Sequence, residues 1–200
     1  MRLFAAGDID AGLVTRARHV HCGSYFLQDG LRPGLADLFA RARRAGGTTS
    51  LDLGWDPSGR WDLSELAAVL PHTDIVLPNA SELTRITAQP DVNDALDALH
   101  RAGAREIGLK QGADGGTVSL ADGTRIALPG HRIVPVDTTG AGDAFNAGYL
   151  CAHLSGQTHR DKLALANACG AVTALSRGGT GGLNGLADAT GMLERGTAAG

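Results

Sequence analysis

The fold is decided by Val136-Asp137-Thr138-Thr139-Gly140-Ala141-Gly142-Asp143-Ala144-Phe145, a stretch rich in glycine and threonine. The apolar residues 133–136 lead into it and are typical of a strand. From Ala144 to Leu154, apolar residues recur at helical spacing, which predicts a helix. The sequence therefore predicts a strand, a tight turn and a helix in succession.

Gly140 and Gly142 lie where the predicted turn meets the helix. Glycine has no side chain to keep a ligand away from the backbone, and N–H groups at the start of a helix are unpaired donors that favour anions. Asp143 lies beside them in the first helical turn. Its carboxylate could cap the helix or complement its dipole, or it could accept a proton from a hydroxyl that attacks phosphorus. The residue types leave both roles open.

Two common phosphate-binding motifs are excluded at this turn. No Gly-Lys-Ser or Gly-Lys-Thr follows it, as a Walker A loop requires. Phe145 occupies the third glycine position of the dinucleotide fingerprint. Residues 137–145, with Gly148 beyond them, instead closely resemble the C-terminal signature of the ribokinase-like (PfkB) carbohydrate kinases.

The resemblance implies an ATP-dependent kinase that transfers the γ-phosphate of Mg-ATP to a hydroxyl of a small sugar. It implies that Asp143 is the catalytic base and that the backbone amides of Gly140, Ala141 and Gly142 form an anion hole. The expected cofactors are ATP and Mg²⁺.

Composition and charge are those of an ordinary globular protein. The chain has 200 residues, a hydrophobic content of 43% and a formal net charge of −3, and its basic residues are scattered, so we expect no nucleic-acid partner. It has no apolar run long enough for a bilayer, and residues 1–8 lack the apolar core of a signal peptide. The three cysteines are an odd number, are widely spaced and lie in apolar segments, which indicates reduced core thiols. We therefore expect a cytoplasmic protein without a membrane partner.

Strands and helices alternate along most of the chain. Strands are predicted at residues 17–25, 48–53, 74–77, 106–110, 117–120 and 125–128, the last two as a hairpin. Further helices are predicted at residues 33–45, 63–70, from 81 onward, 92–102, 161–176 and 186–194. This alternation predicts an α/β fold with a largely parallel sheet flanked by helices, in which ligands bind outside the carboxyl ends of the strands.

Asn79 and Glu82 follow a predicted strand and have the spacing of a capping box, in which each side chain satisfies a backbone N–H of the other. They also resemble the N-x-x-E motif of the kinase family, which is associated with magnesium and phosphate. The resemblance implies that Asn79 and Glu82 influence Mg²⁺, indirectly through water, because hard cations prefer amide and carboxylate oxygens. The two roles are compatible.

The resemblance also implies nucleotide contacts. Lys110 and Gly112 end a predicted strand and are expected near the phosphates or the ribose, whereas Gly115 is expected to allow close backbone packing. The alternative is a plain turn between strands. Asn167 lies in a helix rich in small residues and is expected to face the adenine.

Asp137 and Thr139 are implied, with the loop at residues 177–182, to border a monovalent cation, for which K⁺ is the expected ion. Thr139 is also expected near the nucleotide. Asp137 could instead brace its own turn.

Substrate contacts are expected after the strand at residues 48–53. Asp52 and Asp56 could accept hydrogen bonds from substrate hydroxyls, although both also suit a turn. Trp55 could stack on a sugar or a nucleoside, but we favour a position at the edge of the core. His19 and His21 are expected to be structural.

The resemblance begins near residue 17 and covers the C-terminal half to two-thirds of such a kinase. The N-terminal strands, the glycine-rich substrate signature and the small lid sheet of the family have no counterpart before residue 8. We therefore expect a single ribokinase-like domain, residues 1–200, that is truncated relative to the family. The preferred function is a sugar kinase. The alternatives are a nucleotide- or phosphate-binding module without turnover and a nucleoside kinase, and a homodimer is left open.

Overall fold

The α/β architecture is confirmed. The structure is a computed structural model that describes residues 3–180, 182 and 185–197. One sheet contains six strands in the order β1-β2-β3-β4-β5-β6. The strands are β1 His19–Cys22, β2 Thr48–Leu51, β3 Ile75–Val76, β4 Glu106–Lys110, β5 Gly116–Leu120 and β6 Arg125–Leu128. Strands β1 to β4 pair in parallel, so their carboxyl ends lie at one edge of the sheet.

Seven helices accompany the strands in the described part of the chain. They are α1 Ala11–Arg16, α2 Arg32–Arg44, α3 Ala80–Thr87, α4 Val92–Arg101, α5 Ala141–Leu154, α6 His159–Ala174 and α7 Leu186–Thr197. Most of the predicted helix boundaries hold to within a few residues, because capping residues mark them. Asp91, for example, accepts hydrogen bonds from Asn93 N–H and Asp94 N–H at the start of α4. None of these helices is both long and apolar enough to cross a bilayer.

The strand predicted at residues 133–136 is wrong. The segment has no strand pairing, and Val134 and Val136 are 84% and 58% exposed. Pro135 has no N–H to donate to a ladder, and the N–H of Val136 donates to the carbonyl of Ala174, at the end of a helix. An apolar run therefore enters the turn as irregular, exposed chain.

Two further elements differ from the prediction, and one helix was not predicted. β1 is shorter than residues 17–25 because Ser24 has a left-handed backbone and a 3₁₀ turn, Tyr25–Leu27, begins after it. The helix predicted at residues 63–70 is instead two 3₁₀ turns, Leu63–Leu66 and Leu70–His72. Helix α1 lies in a region for which the sequence gives no clear pattern.

The chain divides into two compact units. The first comprises residues 1–107 and 119–124, and the second comprises residues 108–118 and 125–200. In the first unit, α2 packs on β1 and β2, and α3 packs on α4. In the second, α6 packs on both α5 and α7, with small side chains such as Ala144, Ala168 and Ala189 in the shared core. That the whole chain acts as one domain remains a prediction.

Candidate active site

Helix α5 begins at the glycine-rich turn, as the sequence predicts. Gly140 is its N-cap and has φ +74°, a left-handed conformation that favours glycine. A Cβ atom on Gly140 would lie 2.5 Å from the carbonyl oxygen of Gly179. Only glycine therefore fits this position, and the start of the helix lies directly against the backbone of residue 179.

The amides of this turn do not all face outward. Ala141 N–H donates to Thr138 C=O over 3.2 Å, so the expectation that Ala141 contributes its amide to an anion hole is wrong. In contrast, the amides of Gly140, Gly142 and Asp143 have no acceptor among residues 3–180, 182 and 185–197. Gly142 and Asp143 are also exposed. Two exposed residues in the first turn therefore have unpaired N–H groups, where the helix dipole favours an anion.

The Asp143 side chain is exposed in the first turn of α5. It has no hydrogen-bond or ion-pair partner in the part of the chain that the structure describes. Asp143 does not cap its own helix. The N-cap residue is Gly140, which has no side chain, and no side-chain hydrogen bond caps α5. The carboxylate is therefore available to an external ligand beside the unpaired amides.

Lys110 lies next to this turn. Its Nζ donates to Oδ1 of Asn146 over 3.2 Å, and its Cδ is the nearest atom, at 3.9 Å, to a Cβ built on Gly142. Asn146 is buried, with 3% exposure. The sequence analysis missed Asn146, although it lies one helical turn after Asp143 on an otherwise small and apolar helix, a signal that could have found it.

Gly112 and Gly115 have different environments. Gly112 has φ +60° and no atom within 4 Å of an added Cβ, so its backbone is open. Gly115 has φ +93°, and an added Cβ would overlap the backbone of Leu128, Pro129 and Gly130. The close backbone packing expected of Gly115 is confirmed, whereas contact of Gly112 with a nucleotide remains a prediction.

Asn167 is buried at 8% exposure. Its Nδ2 donates to the carbonyls of Leu128 and Pro129, each over 3.4 Å. These bonds fix the end of β6 against α6. The adenine contact expected of Asn167 remains a prediction.

Asp137 braces its own turn, which is the alternative that the sequence left open. Its carboxylate accepts from Thr139 N–H at 2.9 Å and from Gly178 N–H at 3.0 Å. These hydrogen bonds, the one from Thr139 first, lower the pKa of Asp137. Thr139 is exposed. A monovalent cation beside Asp137 remains a prediction, and Gly181 of the loop at residues 177–182 lies outside the described residues.

In the first unit, the capping box at the start of α3 is confirmed. Asn79 Oδ1 accepts from Glu82 N–H at 2.8 Å, and Glu82 Oε2 accepts from Asn79 N–H at 2.9 Å. Asn79 Nδ2 donates to Glu82 Oε1 at 2.7 Å. Glu82 is 7% exposed, so direct contact with an ion would require a change in this arrangement. The influence of Asn79 and Glu82 on Mg²⁺ remains a prediction.

The substrate candidates after β2 are largely structural. Asp56 is buried, and its carboxylate accepts from Ser58 N–H, Ser58 Oγ and Trp61 N–H at 2.8–2.9 Å. Burial raises the pKa of Asp56, but these bonds outweigh it and lower the pKa overall. Asp52 is 6% exposed. Both carboxylates are thus buried, and Asp56 braces a turn, which is the alternative that the sequence left open. Contact of Asp52 or Asp56 with substrate hydroxyls remains a prediction.

Trp55 lies at the edge of the core, as we favoured: 55% of it is exposed, and its ring packs edge-on against the buried Trp61, with 5.3 Å between ring centres. His19 and His21 are structural, also as expected. Their rings hydrogen-bond to the Thr48 and Ser50 hydroxyls at 2.7 Å across β1 and β2.

No three His, Cys, Asp or Glu side chains come together as metal ligands within the described ranges.

Comparison with known proteins gives consistent matches. The chain is 32% identical to an ATP-dependent ribose-1-phosphate kinase of Halopiger xanaduensis over 171 residues, which is 84% of this chain and 52% of that protein. It is 32% identical to the 2-dehydro-3-deoxygluconokinase of Escherichia coli K12 over 140 residues, which is 65% of this chain and 44% of that protein. The chain thus spans about half the length of these curated relatives.

Solved structures share the fold. Arabidopsis thaliana ribokinase, complexed with ribose and ATP, superposes with a TM-score of 0.80 at 22% identity, over 97% of this chain and 61% of that one. Vibrio cholerae fructokinase, in its fructose, ADP and calcium ion bound form, gives a TM-score of 0.75 at 24% identity. The match covers 88% of this chain and 60% of the fructokinase chain. The family model for pfkB family carbohydrate kinases matches residues 4–184. This chain belongs to the pfkB family of carbohydrate kinases.

Proposed function

We propose that this chain is the nucleotide-binding and catalytic portion of an ATP-dependent carbohydrate kinase. One observation carries the proposal. The first turn of α5 presents the exposed Asp143 carboxylate beside the unpaired amides of Gly142 and Asp143. A carboxylate next to an anion-binding backbone is what transfer of a phosphoryl group to an alcohol requires.

ATP would bind with its terminal phosphate at these amides. Lys110 would supply positive charge, since its Nζ is fixed by Asn146 next to Gly142. The open backbone of Gly112 would allow close approach of the nucleotide. Membership of the pfkB family supports this arrangement, as does the Arabidopsis ribokinase complex with ATP.

In the proposed reaction, the Asp143 carboxylate accepts the proton of a sugar hydroxyl as the oxygen of that hydroxyl bonds to the γ-phosphorus. The bond from the γ-phosphorus to the bridging oxygen breaks, and ADP leaves with that oxygen's electron pair. The amides of Gly142 and Asp143 stabilise negative charge on the transferring group.

Mg²⁺ would neutralise the charge of the ATP phosphates. The donor set that fits it is small: the Glu82 carboxylate with the Asn79 amide, acting through water. Both Glu82 oxygens already accept hydrogen bonds from Asn79, which favours an indirect role. A monovalent cation beside Asp137 belongs to the same proposal.

The substrate class is a sugar. The relatives include kinases of a sugar phosphate and of a sugar acid, and a cytidine kinase of Thermococcus kodakarensis is 37% identical over 95 residues, or 46% of this chain. A nucleoside substrate is therefore the second candidate.

ADP release from this chain, measured with Mg-ATP and a panel of sugars and nucleosides, tests the proposal. Release that depends on a sugar supports the kinase. Binding of ATP without any release in the whole panel contradicts it and supports a nucleotide-binding module without turnover.

A further inference from the structure

Trp55 and Arg85 form an exposed pair on the first unit. Arg85 Cζ lies 5.3 Å from the centre of the Trp55 ring, in a cation–π arrangement. Trp55 is 55% exposed and Arg85 is also exposed. An indole left in solvent beside a guanidinium offers both an apolar surface and a positive charge to a ligand.

The indole is fixed from a second side. The buried ring of Trp61 packs edge-on against Trp55, with 5.3 Å between ring centres. Trp61 has φ +48°, which is costly for a bulky residue and persists only where the surroundings impose it. The backbone N–H of Trp61 donates to the buried carboxylate of Asp56 over 2.9 Å. The loop after β2 therefore holds Trp55 in a defined position.

Arg85 keeps hydrogen-bond donors for an external group. Its Nε donates to Ser81 Oγ over 3.2 Å, and no carboxylate pairs with it among the described residues. Other arginines of the first unit do pair with carboxylates: Arg32, Arg41, Arg43, Arg60 and Arg105. The planar guanidinium fork matches the geometry of a carboxylate or a phosphate.

Trp55 lies in the loop that follows β2, and the carboxyl ends of β2 and its parallel neighbour β3 share one edge of the sheet. Ligands of open α/β sheets gather outside that edge. Arg85 lies in the last turn of α3 and is tied to this loop by its contact with the Trp55 ring.

We propose that Trp55 and Arg85 bind an acidic sugar, the indole contacting its C–H face and Arg85 pairing with its phosphate or carboxylate. The pair would thus make this chain select acidic over neutral sugars, an assignment of substrate class that rests on the proposed kinase function. The pairing with an anion is the shared chemistry of a sugar phosphate and a sugar acid.

Binding can be measured by calorimetry without ATP, so that it does not depend on turnover. The probes are ribose 1-phosphate, 2-dehydro-3-deoxygluconate and neutral ribose. We expect one of the two acidic sugars to bind more tightly than ribose, and its identity distinguishes phosphate from carboxylate. Arg85→Ala should weaken that binding about tenfold while leaving ribose unchanged, because a hydrogen-bonded charge pair is lost. Arg85→Lys should restore part of it.

Arg101→Ala is the matched control, since Arg101 is an exposed arginine at the end of α4 in the same unit. The same acidic sugar should also change the emission of wild-type chain but not of Trp55→Phe, which retains only the buried Trp61. Equal affinity for acidic and neutral sugars, no sugar binding, or equal losses in Arg85→Ala and Arg101→Ala would overturn the assignment. A loss of Mg-ATP affinity in Arg85→Ala without a loss for the acidic sugar would also overturn it. None of these results bears on ADP release, which tests the kinase proposal separately.

Discussion

Lys110 Nζ donates a hydrogen bond to the buried Oδ1 of Asn146 over 3.2 Å. This bond joins the end of β4 to α5, one helical turn after Asp143. It gives the lysine amine a defined position beside the unpaired amides, where a phosphate would need positive charge. In the proposed site, Asn146 would therefore be a positioning residue that acts through Lys110.

The first prediction concerns this bond. Asn146→Ala should weaken ATP binding about tenfold, the effect of losing a hydrogen bond to a charged group. Lys110→Met should weaken it at least as much. In the double variant the two losses should not add, because both remove the same interaction. Titration calorimetry with ATP measures all four chains, and urea unfolding checks that each is folded. Additive losses would show that Asn146 acts independently of Lys110.

The second prediction compares three glycines of the second unit. Gly140→Ala should destabilise the chain strongly, because it combines a left-handed φ with overlap of the Gly179 backbone. Gly156 has φ +69° but no atom within 4 Å of an added Cβ. Gly156→Ala should therefore cost only about 1 kcal/mol, the backbone term alone.

Gly142→Ala should leave the stability of the chain unchanged but weaken ATP binding. An added Cβ meets only Lys110 Cδ, at 3.9 Å, so the urea midpoint should stay close to that of the wild type. ATP affinity should fall, because the methyl group would lie where the ligand approaches the first turn of α5. If Gly142→Ala binds ATP as the wild type does, the terminal phosphate does not lie at this turn.

The third prediction concerns pH. Hydrogen bonds from Thr139 and Gly178 lower the pKa of Asp137 in the folded chain. The folded state therefore binds a proton less readily than the unfolded state, whose aspartate pKa is about 3.9. The stability that Asp137 contributes is present above that value and is lost as the pH falls through the lower folded pKa.

The comparison of wild type with Asp137→Asn isolates this contribution from that of other carboxylates. The difference in urea midpoint should be constant between about pH 7 and pH 5 and should shrink below about pH 4. A difference that grows on acidification would contradict the assigned bonds.

Much of the fold follows from local sequence signals. Helix starts are predictable because capping side chains such as Asn79 and Asp91 mark them in the sequence. The left-handed turn at Gly140 is predictable because glycine alone tolerates it. Asp143, to which the resemblance to the pfkB signature assigns the role of base, lies in the first turn of α5, as the sequence predicts.

Other features depend on contacts that the local sequence does not encode. The apolar residues around Pro135 look like a strand, but a strand needs a partner, and none pairs with them in the described structure. Trp55 is apolar, yet its exposure depends on how the loop after β2 packs. The Ala141 N–H donates to the Thr138 carbonyl because of the geometry of the turn. Asn146 can hold Lys110 only because the fold brings the two side chains together.

The central claim is that Asp143 removes the proton from the attacking hydroxyl, and Asp143→Asn tests it most directly. Asp94→Asn is the matched control, because Asp94 is also an exposed acidic residue in the first turn of a helix. Both substitutions remove the same favourable interaction with a helix dipole. The measurement is sugar-dependent ADP release with ATP affinity determined in parallel. We expect release by Asp143→Asn to fall about 10²–10⁴-fold with ATP affinity nearly unchanged, and Asp94→Asn to match the wild type. Turnover by Asp143→Asn equal to that of Asp94→Asn would contradict the claim.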